Sequence, residues 1–227
     1  MPFVPPTSTP GAVRAASRRA NCHRCHRPQL ACVCVWACPV DNTVPVLFLQ
    51  HPSEVGHAKG TVDLLRLSLA RCQVHVGEVV QPDDLKLGNL STVALLYPDA
   101  TGGSGLVAEP AISSSLSRLL VLDGTWRKTH RMLCSNPWLA ALPRVSLSPA
   151  TVSAYRVRRA RHVHQLSTLE ATCLAMGQLE GEASRYAGLL QGMEGFVAAI
   201  ASRMPQRTAA TEPEPATLDL TLPGLPE

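Results

Sequence analysis

Two groups of residues in this chain have the types and spacing of working chemistry. The first is an aspartate that ends an apolar run, Leu119-Leu120-Val121-Leu122-Asp123-Gly124-Thr125-Trp126. The pattern predicts a buried strand that stops at a tight turn and enters a helix at the polar segment Arg127 to Ser135. Open α/β sheets bind ligands outside the carboxyl ends of their strands, so a carboxylate placed there is either a cap or a working group. The second is a set of four cysteines in thirteen residues, Cys22, Cys25, Cys32 and Cys34. Two thiolates separated by two residues can turn onto one ion, and a second close pair completes a tetrahedron, the donor chemistry of zinc. These four are the predicted metal ligands, with His23, His26 and Cys38 as substitutes. A complete shell of thiolates leaves no open position, so the expected zinc is structural.

Other polar segments admit two explanations each. Gln50-His51-Pro52-Ser53-Glu54 follows the first core strand, where it forms either a ligand-bordering loop or a plain proline turn. Gly102 to Gly105 lacks the Walker lysine and the Rossmann spacing, which leaves a flexible loop. Tyr155-Arg156-Val157-Arg158-Arg159-Ala160-Arg161 is either a solvated basic loop or a phosphate contact with a tyrosine for stacking. Ser167 and Glu170 have the spacing of a capping box, and the free N–H groups of such a helix start also attract polar ligands.

These residues need a scaffold. A chain of 227 residues with 45% hydrophobic content is long and apolar enough for one ordinary domain with a proper core. Net charge is only +4, yet arginines gather at Arg14, Arg18 and Arg19 and again at Arg156 to Arg161, which suggests a phosphate-bearing partner. No apolar run is long enough to span a bilayer, and Met1 to Gly11 has no apolar signal core. The expected location is cytoplasmic, where cysteines ligate metals more often than they form disulfides. Strands are predicted over Val44–Leu49, Cys72–Val80, Thr92–Tyr97, Leu119–Leu122 and Val145–Leu147. Helices are predicted over Gly60–Ala70, Trp126–Cys134 and Leu166 to about Ser202, the last broken near Gly181 or Gly192, with a cap or short helix at Ser113–Ser117. The alternation argues for an α/β domain with a mostly parallel sheet. Residues 1–19 and 204–227 read as a disordered arm and tail, 20–40 as a zinc-binding module and 41–203 as the catalytic domain.

The order of the motifs narrows the choice. Cys-x2-Cys-x-Arg-Pro-x3-Cys-x-Cys is followed by His-Pro-x-Glu, Leu-Tyr-Pro, Leu-Asp-Gly-Thr-Trp, Tyr-x-x-Arg and Leu-Ser-Thr-Leu-Glu-Ala. From about Cys22 to about Glu180 this series resembles the DTW-domain family of tRNA-uridine aminocarboxypropyltransferases. The resemblance implies a SPOUT-like α/β fold with a C-terminal trefoil knot. It implies transfer of the 3-amino-3-carboxypropyl group of S-adenosylmethionine to N3 of a uridine in tRNA, releasing methylthioadenosine. The implied partner is tRNA, with no role for DNA or a membrane.

Residue by residue, Asp123 becomes the candidate general base, or else it orients the uracil or the donor's amino group. A free aspartate, with a pKa of about 4, is too weak a base for an N3 proton, so burial would have to raise it. Trp126 would wall the cofactor or base pocket. Leu122, Thr125, Leu142, Thr168 and Glu170 would hold the cofactor. His51, Glu54, Tyr155, Arg156 and Arg158 would meet the substrate, or Arg156 the cofactor carboxylate. The rival expectations are a methyltransferase using the same cofactor and a zinc-containing RNA-binding protein without catalysis.

Overall fold

The apolar runs form the centre of a six-stranded sheet. The structure, a computed structural model, describes residues 20–98, 106–107, 113–147 and 166–203. The expected arm and tail, the Gly102–Gly105 loop and the basic segment with Tyr155, Arg156 and Arg158 lie outside these residues. The strands are β1 (Val46–Gln50), β2 (Cys72–Val76), β3 (Val93–Leu96), β4 (Leu106–Val107), β5 (Arg118–Asp123) and β6 (Arg144–Ser146). They pair in the order β2-β1-β5-β3-β6-β4, and every pairing is parallel. The helices are α1 (Val62–Ser68), α2 (Trp126–Ser135), α3 (Pro137–Ala140), α4 (Thr168–Leu179) and α5 (Ala187–Arg203). None among the described residues is long and apolar enough to cross a membrane.

Parallel sheets are covered on both faces, and the central strands obey that rule. β1 and β3 are buried throughout, and β5 from Leu119 onward. Successive side chains alternate between two cores. Val46, Phe48, Ala94, Leu96, Leu119 and Val121 join the core built with α1, α4 and α5. Leu47, Leu49, Val93, Leu95, Leu120 and Leu122 join the opposite core, closed by Met132 and Leu133 of α2 and by Leu139 of α3. Asp123 is the first residue of β5 that cannot continue this pattern.

Several boundaries differ from expectation for identifiable reasons. β2 stops at Val76, four residues short: the Gly77 N–H makes the last bond of the ladder, to the carbonyl of Gln50, where the partner strand β1 also ends. Val80 kept the apolar alternation going in sequence because it is buried in the core, not because it lies in a strand. Its N–H donates to Asn136 Oδ1 at 2.8 Å, and its carbonyl accepts from the Trp138 indole at 2.9 Å. In the span expected as a cap or short helix, Ser113 is helical and Ser114 and Ser115 form a turn. β4 and α3 are too short to carry a periodic signal.

The long C-terminal helix breaks at Gly181, whose φ of +67° only glycine adopts cheaply. Glu180 locks that corner by accepting from the Thr43 and Val44 N–H groups, from the Tyr186 hydroxyl and from Arg185. Burial pushes its carboxyl up, but these donors outweigh it and hold the group below the ordinary glutamate range.

Gly192, the other expected break, lies inside α5 and serves packing. A Cβ on Gly192 would run into the Trp36 backbone, and one on Gly195 into the Trp36 ring. The bare helix face therefore lets the cysteine module settle on α5. Gly195→Ala is expected to cost about 2 kcal/mol through overpacking, although alanine is the better helix former. Urea denaturation of the two proteins checks the sign.

Candidate active site at the strand ends

Register brings the working residues together. Gln50 of β1 pairs with Asp123 of β5, so the two strands end level. The His51 N–H makes the last bond of this ladder, to the Asp123 carbonyl at 2.9 Å. The Asp123 carboxylate is 6% exposed. Its Oδ2 accepts from Gln50 Nε2 at 2.9 Å and its Oδ1 from Thr168 Oγ1 at 2.8 Å. Thr168 comes from the first turn of α4, far along the chain, so one carboxylate ties β1, β5 and α4 to a common point. Burial raises the Asp123 pKa, the bonds from Gln50 and Thr168 pull it partly back, and the charges of Glu54 and Asp63 push it up again. The result is a carboxylate more basic than free aspartate.

The capping box at α4 is complete: Ser167 Oγ accepts from the Glu170 N–H, and Glu170 Oε2 accepts from the Ser167 N–H at 2.7 Å. Glu170 thus holds the helix start while Thr168 reaches the site. Thr125 is exposed at the N-cap of α2 and makes no cap bond with its side chain. Leu122 and Leu142 are buried in the core behind α2 and α3.

Ion pairs link the turns that follow β1, β2 and β5. Glu54 Oε1 pairs with Lys128 Nζ at 2.6 Å. Glu78 lies between His51, at 3.4 Å, and Arg131, at 2.5 Å. His51 also caps its own turn, with Nδ1 against the hydroxyl and N–H of Ser53, so both ring nitrogens are engaged. Trp126 is 48% exposed, an unusual state for the largest apolar side chain. Its ring meets Tyr97 edge-on, at 5.8 Å and 73°, and the Arg144 guanidinium lies 5.2 Å from the Tyr97 ring centre.

Of the expected site residues, His51, Glu54, Asp123, Trp126 and Thr168 stand at or beside the ends of β1 and β5. Tyr155, Arg156 and Arg158 lie outside the described residues. Sequence reasoning missed Lys128, Glu78, Arg131, Tyr97 and Arg144. Lys128 and Arg131 carried a signal, since they lie three residues apart on one face of the helix that follows the Asp123 turn.

The four expected thiols converge. The sulfur atoms of Cys22, Cys25, Cys32 and Cys34 all lie within 4.8 Å of one another, with Cys22–Cys34 and Cys25–Cys32 both at 3.7 Å. Four sulfurs about 2.3 Å from a tetrahedral zinc stand about 3.8 Å apart, so this donor set fits the ion. The N–H groups of Cys25 and Arg24 point at Cys22 and draw its thiol down to about 6, while burial and the neighbouring thiols push Cys34 up to about 12, so the first proton leaves from Cys22. His23, His26 and Cys38 stay out of the group.

The DTW domain family matches residues 19–201, most of the chain. The chain belongs to the DTW-domain family. Its relatives include proteins named tRNA-uridine aminocarboxypropyltransferase 2. The one from Mus musculus is 29% identical over 202 residues, 78% of this chain and 67% of its own. Those from Macaca fascicularis and Drosophila melanogaster are 30% and 31% identical, covering 74% and 70% of this chain and 59% and 67% of theirs. No solved structure matches the chain.

Within this DTW domain Asp123, Thr125 and Trp126 differ in their surroundings. Asp123 is buried, Thr125 starts α2 and Trp126 faces outward. Thr168 tunes the aspartate, and its removal has a definite sign. Thr168→Val deletes a bond that lowers the Asp123 pKa, so that pKa rises further. Any activity that needs the ionised carboxylate should then show its acidic limb at higher pH. The pH profile of kcat/KM measures the shift.

Proposed function

We propose that this DTW protein transfers the 3-amino-3-carboxypropyl group of S-adenosylmethionine to N3 of a uridine in tRNA. The observation that carries this reading is the buried Asp123 carboxylate, fixed at both oxygens by Gln50 and Thr168 beside the exposed Trp126. The names of the relatives supply the substrate class.

The residues suit a cationic amino-acid donor. Glu54 offers a carboxylate to its positive groups, and Trp126 offers an aromatic face to a sulfonium. Thr125, Leu122, Leu142, Thr168 and the capped turn at Glu170 would form the cofactor side. S-adenosylmethionine, when bound, supplies a carbon made electrophilic by its sulfonium.

Everything else falls to the protein. Asp123 takes the N3 proton of the uridine, which frees the nitrogen lone pair to form the new N–C bond. The C–S bond breaks and methylthioadenosine leaves as a neutral thioether, so no general acid is required. Gln50 and Thr168 hold the carboxylate in one orientation, which shortens the search for the reactive geometry. Its raised pKa brings the base closer to working pH. His51 and Glu54 border the entry, and Tyr155, Arg156 and Arg158 engage tRNA phosphate and base. Zinc on the four cysteines stiffens residues 20–40. The all-parallel sheet and the return of α4 to the end of β5 support a SPOUT-like fold with a C-terminal knot, and tRNA as substrate supports a cytoplasmic location.

Donor labelling tests the reaction. Label in the carboxyl carbon of S-adenosylmethionine should pass to tRNA, and label in the methyl carbon should stay in the small-molecule fraction. The reverse pattern would make the protein a methyltransferase.

A further inference from the structure

Arg27 has no part in the chemistry above, yet it is among the most constrained side chains in the molecule. It lies two residues beyond Cys25 and is 5% exposed. An arginine is buried this far only when its charge and donors are matched. Nε donates to Asp63 Oδ2 of α1 at 2.7 Å. One terminal nitrogen donates to the carbonyls of Gly60, at 2.6 Å, and His57, at 3.3 Å, and the other to the carbonyl of Ala58 at 3.4 Å. The guanidinium also lies over the Phe196 ring, 5.5 Å from its centre. Phe196 in turn packs with Cys22, Cys25 and Val33 under the cluster.

Both ends of this contact lead somewhere. On one side, the Arg27 carbonyl accepts from the Cys22 N–H at 2.7 Å, so its backbone position is set by the cysteine knuckle. On the other, the residues it grips form the loop from the end of β1 to α1. In that loop the Gly60 N–H donates to His57, the His57 N–H to Glu54 and the Glu54 N–H to His51. Glu54 carries the carboxylate paired with Lys128 beside Asp123. An unbroken series of bonds therefore runs from the thiolate cluster through one guanidinium to the rim of the site.

We propose that Arg27 is a positioning residue that couples metal binding at the four cysteines to the shape of the His51–Gly60 loop, and so to the site at the strand ends. Zinc fixes the knuckle, the knuckle fixes Arg27, and Arg27 gathers three loop carbonyls that would otherwise turn to water. Lysine cannot replace it, because a single ammonium lacks the planar fork that serves Asp63 and the loop in different directions. The loop's role toward substrate rests on the proposed function, but its mechanical link to the metal does not.

Hydrogen exchange on the full-length protein tests the coupling. In wild type, removing zinc with a chelator should speed exchange at the His57 and Gly60 amides by about tenfold, the effect of losing one or two charge-assisted hydrogen bonds. Sheet amides such as Leu47 and Val121 serve as the reference. Arg27→Lys, with bound zinc confirmed by metal analysis, should show the fast loop already. Stripping zinc from it should add nothing at the loop, because the coupling has been cut. In an activity assay its KM should rise more than its kcat falls. Unchanged loop exchange in zinc-loaded Arg27→Lys would overturn the proposal, as would an equal response to zinc removal in both proteins. If Arg27→Lys does not fold, Asp63→Asn takes its place. That variant loosens the guanidinium, so the loop should be faster with zinc bound, and a loop as slow as wild type would be the contrary result. These readouts hold whether or not the transfer reaction is found.

Discussion

Asp123→Asn should lower kcat by about 10²–10⁴-fold, the usual worth of a positioned general base. Its affinity for tRNA should be retained. The substitution keeps size and shape: Asn Oδ1 can still accept from Thr168, and the Gln50 amide can turn over so that its oxygen accepts from the new NH2, so the strand ends stay in place. What disappears is the acceptor for a proton. Stability should not fall with activity. The Asp123 pKa is raised in the folded state by burial, so the folded protein holds its proton where the unfolded chain has lost it. Such a group loses stabilising effect as pH rises from the unfolded value of 3.8 through the folded one, and above that the buried charge is a cost. Asn carries no such cost, and the variant should melt at or above the wild-type temperature at neutral pH. Thermal melts beside steady-state kinetics check both halves. Wild-type turnover by Asp123→Asn would remove Asp123 from the chemistry.

Cys25→Ser should produce the largest loss of stability. Cys25 is 2% exposed and sits at the centre of the small core with Cys22, Val33 and Phe196. The module buries few of its apolar side chains, with Leu30 and Val35 exposed, so it depends on its cross-link. Structural zinc sites supply much of the folding energy of the segments that hold them. A net loss of even about 3–5 kcal/mol lowers the Tm of a domain this size by about 10 °C. The effect should spread beyond residues 20–40, because Trp36 fills the notch at Gly192 and Gly195 of α5. Metal analysis should find little zinc in the purified variant, and differential scanning calorimetry should find the lower Tm. A variant that melts like wild type without metal would reduce the cluster to a set of packed thiols.

How much of this was legible in sequence depended on how local each signal was. Asp123 stood out because its own strand announced it: four apolar residues, a carboxylate and a glycine. The cysteine quartet was legible for the same reason, with every ligand inside thirteen residues. The partnership of Asp123 with Thr168 was not, because 45 residues separate them and only the fold brings α4 to β5. The capping box at Ser167 was predicted correctly, yet it gave no hint that its neighbouring threonine reaches a buried carboxylate. Gly192 misled for a physical reason. Glycine in a helix marks a break or a close approach, and only the opposing Trp36 tells which. Val80 misled in the same way, since burial imposes the apolar pattern whether or not the backbone is extended. Arg27 was visible as half of an Arg-Pro pair, but its partners lie 30 to 36 residues away.

The central claim is that the strand-end carboxylate serves transfer of an aminocarboxypropyl group to uridine. It is tested most directly by mass spectrometry of both products. Full-length, zinc-loaded protein is incubated with S-adenosylmethionine and a pool of unmodified tRNA, and the tRNA nucleosides and the spent donor are then analysed. The account predicts aminocarboxypropyluridine and methylthioadenosine in equal amounts from wild type, and neither above background from Asp123→Asn. A methylated nucleoside with S-adenosylhomocysteine, or no product of either kind from a folded protein that binds tRNA, would contradict it.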